Sequence, residues 1–397
     1  MPYRALLRLL AALLVVCPCA SAEDAPKRLR VAPDGSGSAA VVVSLDAPLV
    51  HTTQVFPVDA TGRPVPEGRQ VEAVLDRLDA ALHAAGSDLS RAVRLHVVLA
   101  REGWRDAIRA EVAKRLDGRD GPAWTFVGGE TPMPGALVAV DAVATTAAAP
   151  AADAAPRPVV AGFPGSSATF AVLPAGPRVF ISGQAEPDAD LAEATRKTLL
   201  SLGDSLRTLG LGPEHVVQLK AFVQPADRAD LIAREAAAFF GGTAPPLVVV
   251  GWKSPATQPI EIELIAASPR AVEADRVAFP PLPPLKPSPV FSRSARVNSG
   301  SLVYVSGLSG PEGAAGPEQV RVAFESLRSV VEEAGADFRH LAKATYYVAD
   351  PEADAALGAI RPTLYDPSRP PAASKAVVPG VAAPGRGFAM DMIAVAP

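Results

Sequence analysis

The feature that most constrains this chain is that it repeats. Gly86, Gly210 and Gly335 each end an apolar stripe of helical spacing, and they stand 124 and 125 residues apart. In the middle copy, Val179-Phe180-Ile181-Ser182-Gly183-Gln184 reads as a strand. A helix follows with Leu199, Leu202, Leu206 and Leu209 on one face, and then Val217, Leu219, Ala221 and Val223 alternate as a half-buried strand. A second helix covers about 227–240, and strands at 247–250 and 260–266 close the unit. The third copy runs in the same order, from Val303-Tyr304-Val305-Ser306-Gly307 through a stripe of Val320, Phe324, Leu327 and Val331 to a closing strand at 388–394. The first copy is more diverged: Leu49-Val50-His51-Thr52-Thr53-Gln54 takes the opening place, and 137–144 closes it.

Interleaved strands and helices give an α+β fold class, each unit a sheet with two helices on one face. The expected organisation is unit 1 at 40–145, unit 2 at 163–267 and unit 3 at 290–397. Two extended linkers join them, Ala/Pro-rich at 146–162 and Pro-rich at 268–289.

The first 22 residues read as an export signal: Arg4 and Arg8, an apolar run at 9–16, then Ala20-Ser21-Ala22 as a small-x-small cleavage site. The run is too short to span a membrane, and no second anchor is visible. Cleavage would move the net charge from -4 to -6 and remove both cysteines, Cys17 and Cys19. The mature protein is thus expected to be periplasmic or secreted, without disulfides, thiolate catalysis or cysteine-ligated zinc. An acidic chain with no basic aromatic patch is not expected to bind nucleic acid.

The middle unit resembles the Rid/YjgF family. The resemblance is carried by the opening strand into Ser182-Gly183-Gln184, by Thr198-Leu199, and by residues 216–223. Phe239-Phe240-Gly241-Gly242, Pro245-Pro246 and Ile260-Glu261-Ile262-Glu263-Leu264-Ile265-Ala266 complete it. Unit 3 matches through 303–307, Gly335 and 343–350; unit 1 matches mainly by pattern. The resemblance implies a chorismate-mutase-like fold that assembles as a trimer with ligand clefts between subunits. It also implies hydrolysis of enamines and imines such as 2-aminoacrylate to keto acids and ammonia. Three units on one chain would make an intrachain pseudo-trimer, expected to be a monomer with small-molecule clefts between units.

The family chemistry implies an arginine on the penultimate strand to clamp a substrate carboxylate. It also implies a glutamate on the last strand to orient water, and an opening Ser-Gly to contact the ligand. In this sequence the arginine position reads Trp124, Leu247 and Ala373, and the glutamate position reads Ala139, Glu261 and Ala389. The serine position reads Thr52, Ser182 and Ser306. Glu261 is therefore the one catalytic candidate, and Ser182, Gly183, Ser306, Gly307, Leu247 and Trp124 are the ligand-binding candidates. Leu247, in the same unit as Glu261, sets apolar surface where a substrate's charge would sit. Trp124 reads either as a buried aromatic or as a stacking platform. Lys375 reads as an exposed strand lysine or as a point charge for a carboxylate. Asp141, Glu263 and Asp391 recur two residues past the glutamate position and read as structural acids.

His51, His83, His96, His215 and His340 lack metal-ligand spacing and read as surface or strand-face residues, so neither metal nor cofactor is expected. Gly35-Ser36-Gly37-Ser38 reads as linker rather than phosphate loop. Two function classes stay open. One is an exported module whose degenerate clefts bind a small molecule or a partner; the other is an imine hydrolase using the unit 2 cleft.

Overall fold

A computed structural model describes residues 25–148, 157, 167–269 and 274–397. Residues 1–24, where the export signal is expected, and most of the first linker lie outside the described residues. The chain opens with β1 (Lys27–Val31) and β2 (Ser38–Ser44). Unit 1 follows as β3 (Leu49–Thr52), α1 (Gln70–Ala84), β4 (Ala92–Leu99), α2 (Trp104–Leu116), β5 (Ala123–Gly128) and β6 (Val138–Thr145). After β7 (Phe170–Leu173), unit 2 runs β8 (Arg178–Gln184), α3 (Leu191–Thr208), β9 (Val216–Val223), α4 (Ala229–Phe239), β10 (Leu247–Gly251) and β11 (Ile260–Ala267). Then come β12 (Val277–Ala278) and β13 (Ser294–Val297). Unit 3 is β14 (Ser301–Leu308), α5 (Gly316–Glu333), β15 (Leu341–Val348), α6 (Pro351–Leu364), β16 (Ala372–Val377) and β17 (Phe388–Ala396).

The repeated glycines stop the first helix of each unit by the same geometry. Gly86, Gly210 and Gly335 take φ of 69, 74 and 79°, which a glycine adopts without Cβ strain. The next amide then reaches back to close the turn: Ser87 N–H to Leu82 O, Leu211 N–H to Leu206 O, and Ala336 N–H to Val331 O, at 2.8–2.9 Å.

Each unit pairs its strands alike. β4 is parallel to β5, β9 to β10 and β15 to β16, with a helix in each crossover, while the closing strand lies antiparallel to both its neighbours. The sheets do not follow the sequence boundaries, however. β2 pairs with β14 of unit 3, β7 with β3 of unit 1, and β13 with β8 of unit 2. Every unit thus hands its first strand to a neighbouring sheet, and β1–β2 closes the ring by joining the first residues to the last unit. The second linker is part of this exchange, since β12 within it pairs with β13.

Each sheet packs its helices through its own outer core, around Leu78 and Leu95 in unit 1, Leu202 and Leu219 in unit 2, and Phe324 and Tyr346 in unit 3. The other faces of all three sheets meet around a common axis. One axial apolar cluster contains Val43, Val143, Phe180, Ile265, Leu302 and Ile393. Another contains Val98, Phe222, Val250, Tyr347 and Val378. Between them, along β4, β9 and β15, lie Arg94 and His96, Gln218 and Lys220, and Lys343 and Thr345. β4, β9 and β15 are accordingly buried along both faces, rather than half-buried as their alternation suggests.

Candidate functional site

Register fixes which residues correspond. Val50, Val179 and Val303 pair with Ala144, Ala266 and Ala394 of the closing strands. Counting three residues onward, Ser182 and Ser306 correspond to Thr53, not to Thr52. Thr52 instead receives the Ala142 N–H on its hydroxyl within its own unit (2.9 Å). The glycine place is correspondingly Gln54 in unit 1.

Three clefts follow, each built from the opening strand of one unit and the parallel edge strand of the next. Between units 1 and 2, Thr53 Oγ1 donates to Leu247 O (3.0 Å) and accepts Leu247 N–H (3.3 Å). The Gln54 amide spans Val249, donating to its oxygen (3.2 Å) and accepting its N–H (3.3 Å). A cavity of about 510 Å³ opens here, walled by Val55, Phe56, Met133, Leu247 and Val249, with Arg77, Asp230 and Arg234 also in its lining. It is the size and composition of a small-molecule pocket.

Between units 2 and 3, Ser182 Oγ accepts Ala373 N–H (3.0 Å) and donates to Ser292 O, while Gly183 N–H donates to Ser374 Oγ (3.0 Å). Glu261 lies against Gly183: a Cβ there would fall 1.9 Å from Glu261 Oε1, so only glycine leaves room for the carboxylate. Burial, and then the neighbouring Glu263 charge, raise the Glu261 carboxyl to about 7, with Ser374, Lys343 and Arg293 opposing. Near neutral pH it holds and releases a proton, as a general acid or base must. Its cleft partner at the arginine place is Ala373 of unit 3, not Leu247 of its own unit. Leu247 belongs to the cleft with Thr53, so the expectation that the two share one site is corrected.

Between units 3 and 1, Ser306 Oγ accepts Trp124 N–H (2.8 Å) and donates to Ser38 O (2.6 Å). Trp124 is the buried aromatic, 5% exposed, with its ring N–H on Ser36 O (2.7 Å) and its face stacked on Phe126 at 5.2 Å. Ser306, Gly307 and Trp124 line a recess of about 210 Å³ with Arg30, Arg105 and Arg109. The Arg105 guanidinium lies 4.9 Å over the Phe126 ring. These arginines come from α2 and β1, and no motif flags them in the sequence. Lys375 forms an ion pair with Asp354 on α6 (2.6 Å).

The recurring acids sit in the axial layer with their cations. Lys343 Nζ reaches Glu263 at 2.7 Å, Arg94 Nη1 stands 3.9 Å from Asp391, and His96 Nδ1 donates to Asp141 (2.7 Å). Lys220 Nζ donates to Tyr347 OH (2.6 Å). Burial opposes ionisation of Asp391, but Lys220, Arg94 and Lys343 prevail and lower its carboxyl to about 2. His51 and His96 are fully buried here, strand-face residues of β3 and β4 rather than surface ones. Burial, with Arg94 adding to it, keeps His51 neutral, its value lowered to about 3.

Residues 285–396 match the family model Ribonuc_L-PSP, described as Endoribonuclease L-PSP. Among solved structures, the chain is similar to a Rid family protein of unknown function from Yersinia pestis (24% identity, 30% of this chain and 95% of that one, TM-score 0.27). It is also similar to a putative endoribonuclease from Thermotoga maritima (27% identity, 31% and 99%, TM-score 0.23). A third is a YjgF family member from Neisseria meningitidis (22% identity, 26% and 84%, TM-score 0.23). No curated protein matches the chain. The third unit thus matches the Ribonuc_L-PSP family model, and this one chain joins it to two units of the same topology.

Proposed function

We propose that this is an exported small-molecule-binding protein of the Rid/YjgF type, with deaminase chemistry curtailed. One observation carries the reading. At each of the three cleft hydroxyls, the facing edge strand presents Leu247, Ala373 or Trp124, where a carboxylate-clamping chemistry needs a cation. Of the three clefts, the one between units 1 and 2 opens into a space of about 510 Å³, whose floor is apolar and whose polar groups stand at Thr53, Gln54, Arg77, Ser167, Thr169, Asp230 and Arg234. A compact ligand with an apolar body suits it. Export rests on the charged start, short apolar run and Ala20-Ser21-Ala22 site.

Thermal-shift titration with small apolar acids and their neutral amides tests this. Stabilisation that disappears when Leu247→Trp fills the cavity, and survives Glu261→Gln, is the expected result. A second reading, imine hydrolysis between units 2 and 3, draws on the Glu261 carboxyl near 7. Turnover of 2-aminoacrylate by the wild type that collapses in Glu261→Gln would favour it over the first.

A further inference from the structure

The axial layer is not electrically balanced by its own side chains. Its buried cations are Arg94, Arg178, Lys220 and Lys343, and its buried carboxylates are Asp141, Glu263 and Asp391; the partly buried Glu261 on the same strand face as Glu263, raised to about 7, adds no charge while it is protonated. Arg178 is the odd charge. It is 0% exposed, and its guanidinium donates to carbonyl oxygens, Leu45 O at 2.7 Å and Gly176 O at 2.9 Å. Asp46, the acid that acts on it, is exposed and acts at a distance. A buried guanidinium without a counter-charge is costly, and proteins ordinarily supply one.

The atoms that would receive a counter-charge are already turned inward without partners. Arg178 Nη1, Arg94 Nε and the Tyr304 hydroxyl are all buried and make no hydrogen bond. Arg94 is held by Asp391 through Nη1, which leaves Nε over. The three groups stand close enough that Tyr304 feels both arginine charges, and the His51 ring, on the matching place in unit 1, feels both as well. These are buried N–H and O–H donors without acceptors on the strands that face the ring axis.

We propose that the ring axis holds one small monovalent anion, of halide type, bound by Arg178, Arg94 and Tyr304. One negative charge balances the layer, and three single N–H and O–H donors beside the apolar cluster of Phe180, Leu302 and Ile393 suit a spherical anion.

Internal symmetry supplies the test. By register, Arg178 corresponds to Leu49 and Leu302, and Tyr304 corresponds to Phe180. Arg178→Leu and Tyr304→Phe therefore introduce side chains that the same fold already carries at equivalent places. The mature chain is dialysed from chloride into gluconate, then titrated with sodium bromide at constant ionic strength. Bromide at about 100 times its dissociation constant should raise the thermal midpoint by about 5 °C. The response should vanish in Arg178→Leu and weaken in Tyr304→Phe. Crystals grown in bromide should show an anomalous peak in contact with Arg178 and Tyr304. A bromide response equal to that of gluconate, a response undiminished in both variants, or a water without anomalous signal at that place would overturn the proposal.

Discussion

Lys343 of unit 3 and Glu263 of unit 2 stand 2.7 Å apart, their side chains 7% and 4% exposed, with Ser374 Oγ donating to the second carboxylate oxygen at 2.6 Å. The pair ties two units together where water does not reach. Breaking such a pair from one side leaves an uncompensated charge. Lys343→Met should therefore destabilise the fold by about 3–5 kcal/mol. Adding Glu263→Gln to it should recover a large part of that loss, because the orphaned charge disappears. Denaturant midpoints of the two single variants and the double variant measure the coupling.

Glu261 gives the pH dependence an unusual sign. Its folded carboxyl is raised to about 7 from an ordinary 4.5, so the folded chain binds the proton more tightly than the unfolded one. Its contribution to stability is fully present below about pH 4.5 and is lost as pH rises through 7. Glu261→Ala, the residue that units 1 and 3 carry at this place, should flatten the stability profile between those limits. An unchanged profile would mean that the carboxyl ionises freely in the folded protein.

Strand exchange around the ring predicts the oligomeric state. β1 and β2 already occupy the edge of the unit 3 sheet beside β14, as β7 and β13 do for the other sheets. We expect one chain of at most 40.9 kDa by light scattering. Removal of residues 23–44 should expose the β14 edge and convert the protein to soluble oligomers or aggregate. A stable trimer of whole chains would refute the closed ring.

The repeats, the helix-ending glycines and the recurring acids were legible because each depends on spacing within one unit. What lay beyond reading depends on partners distant in the chain. β2, β7 and β13 are short runs outside the repeated pattern, and nothing in their own residues says which sheet receives them. Arg94 and His96 alternate with Leu95 and Val97, a pattern that ordinarily marks a wet face; here that face is the ring axis. Thr52 and Thr53 are adjacent hydroxyls, and only the register against β6 distinguishes the cleft residue from its neighbour. The pairing of Glu261 with Ala373 crosses a unit boundary, so no local motif contains it.

That pairing decides the last prediction. Hydrolysis of 2-aminoacrylate-type imines should be far slower than in an arginine-bearing relative, since a charge-assisted bond to a carboxylate is worth roughly 1.5–3 kcal/mol. At about 1.4 kcal/mol per decade, its loss costs on the order of tenfold to a hundredfold in kcat/KM. The variant expected to recover activity is Ala373→Arg. Ala373 is partly exposed, and its N–H already meets Ser182 Oγ beside Gly183 and Glu261. Leu247→Arg would place the charge in the cleft of Thr53 and Gln54, away from Glu261, and should give no gain. A coupled assay of the wild type, Ala373→Arg, Leu247→Arg and Ala373→Arg with Glu261→Gln separates the clefts. Recovery in Ala373→Arg that Glu261→Gln then abolishes places the water-activating carboxyl between units 2 and 3. Recovery in Leu247→Arg alone would transfer the chemistry to the cleft between units 1 and 2.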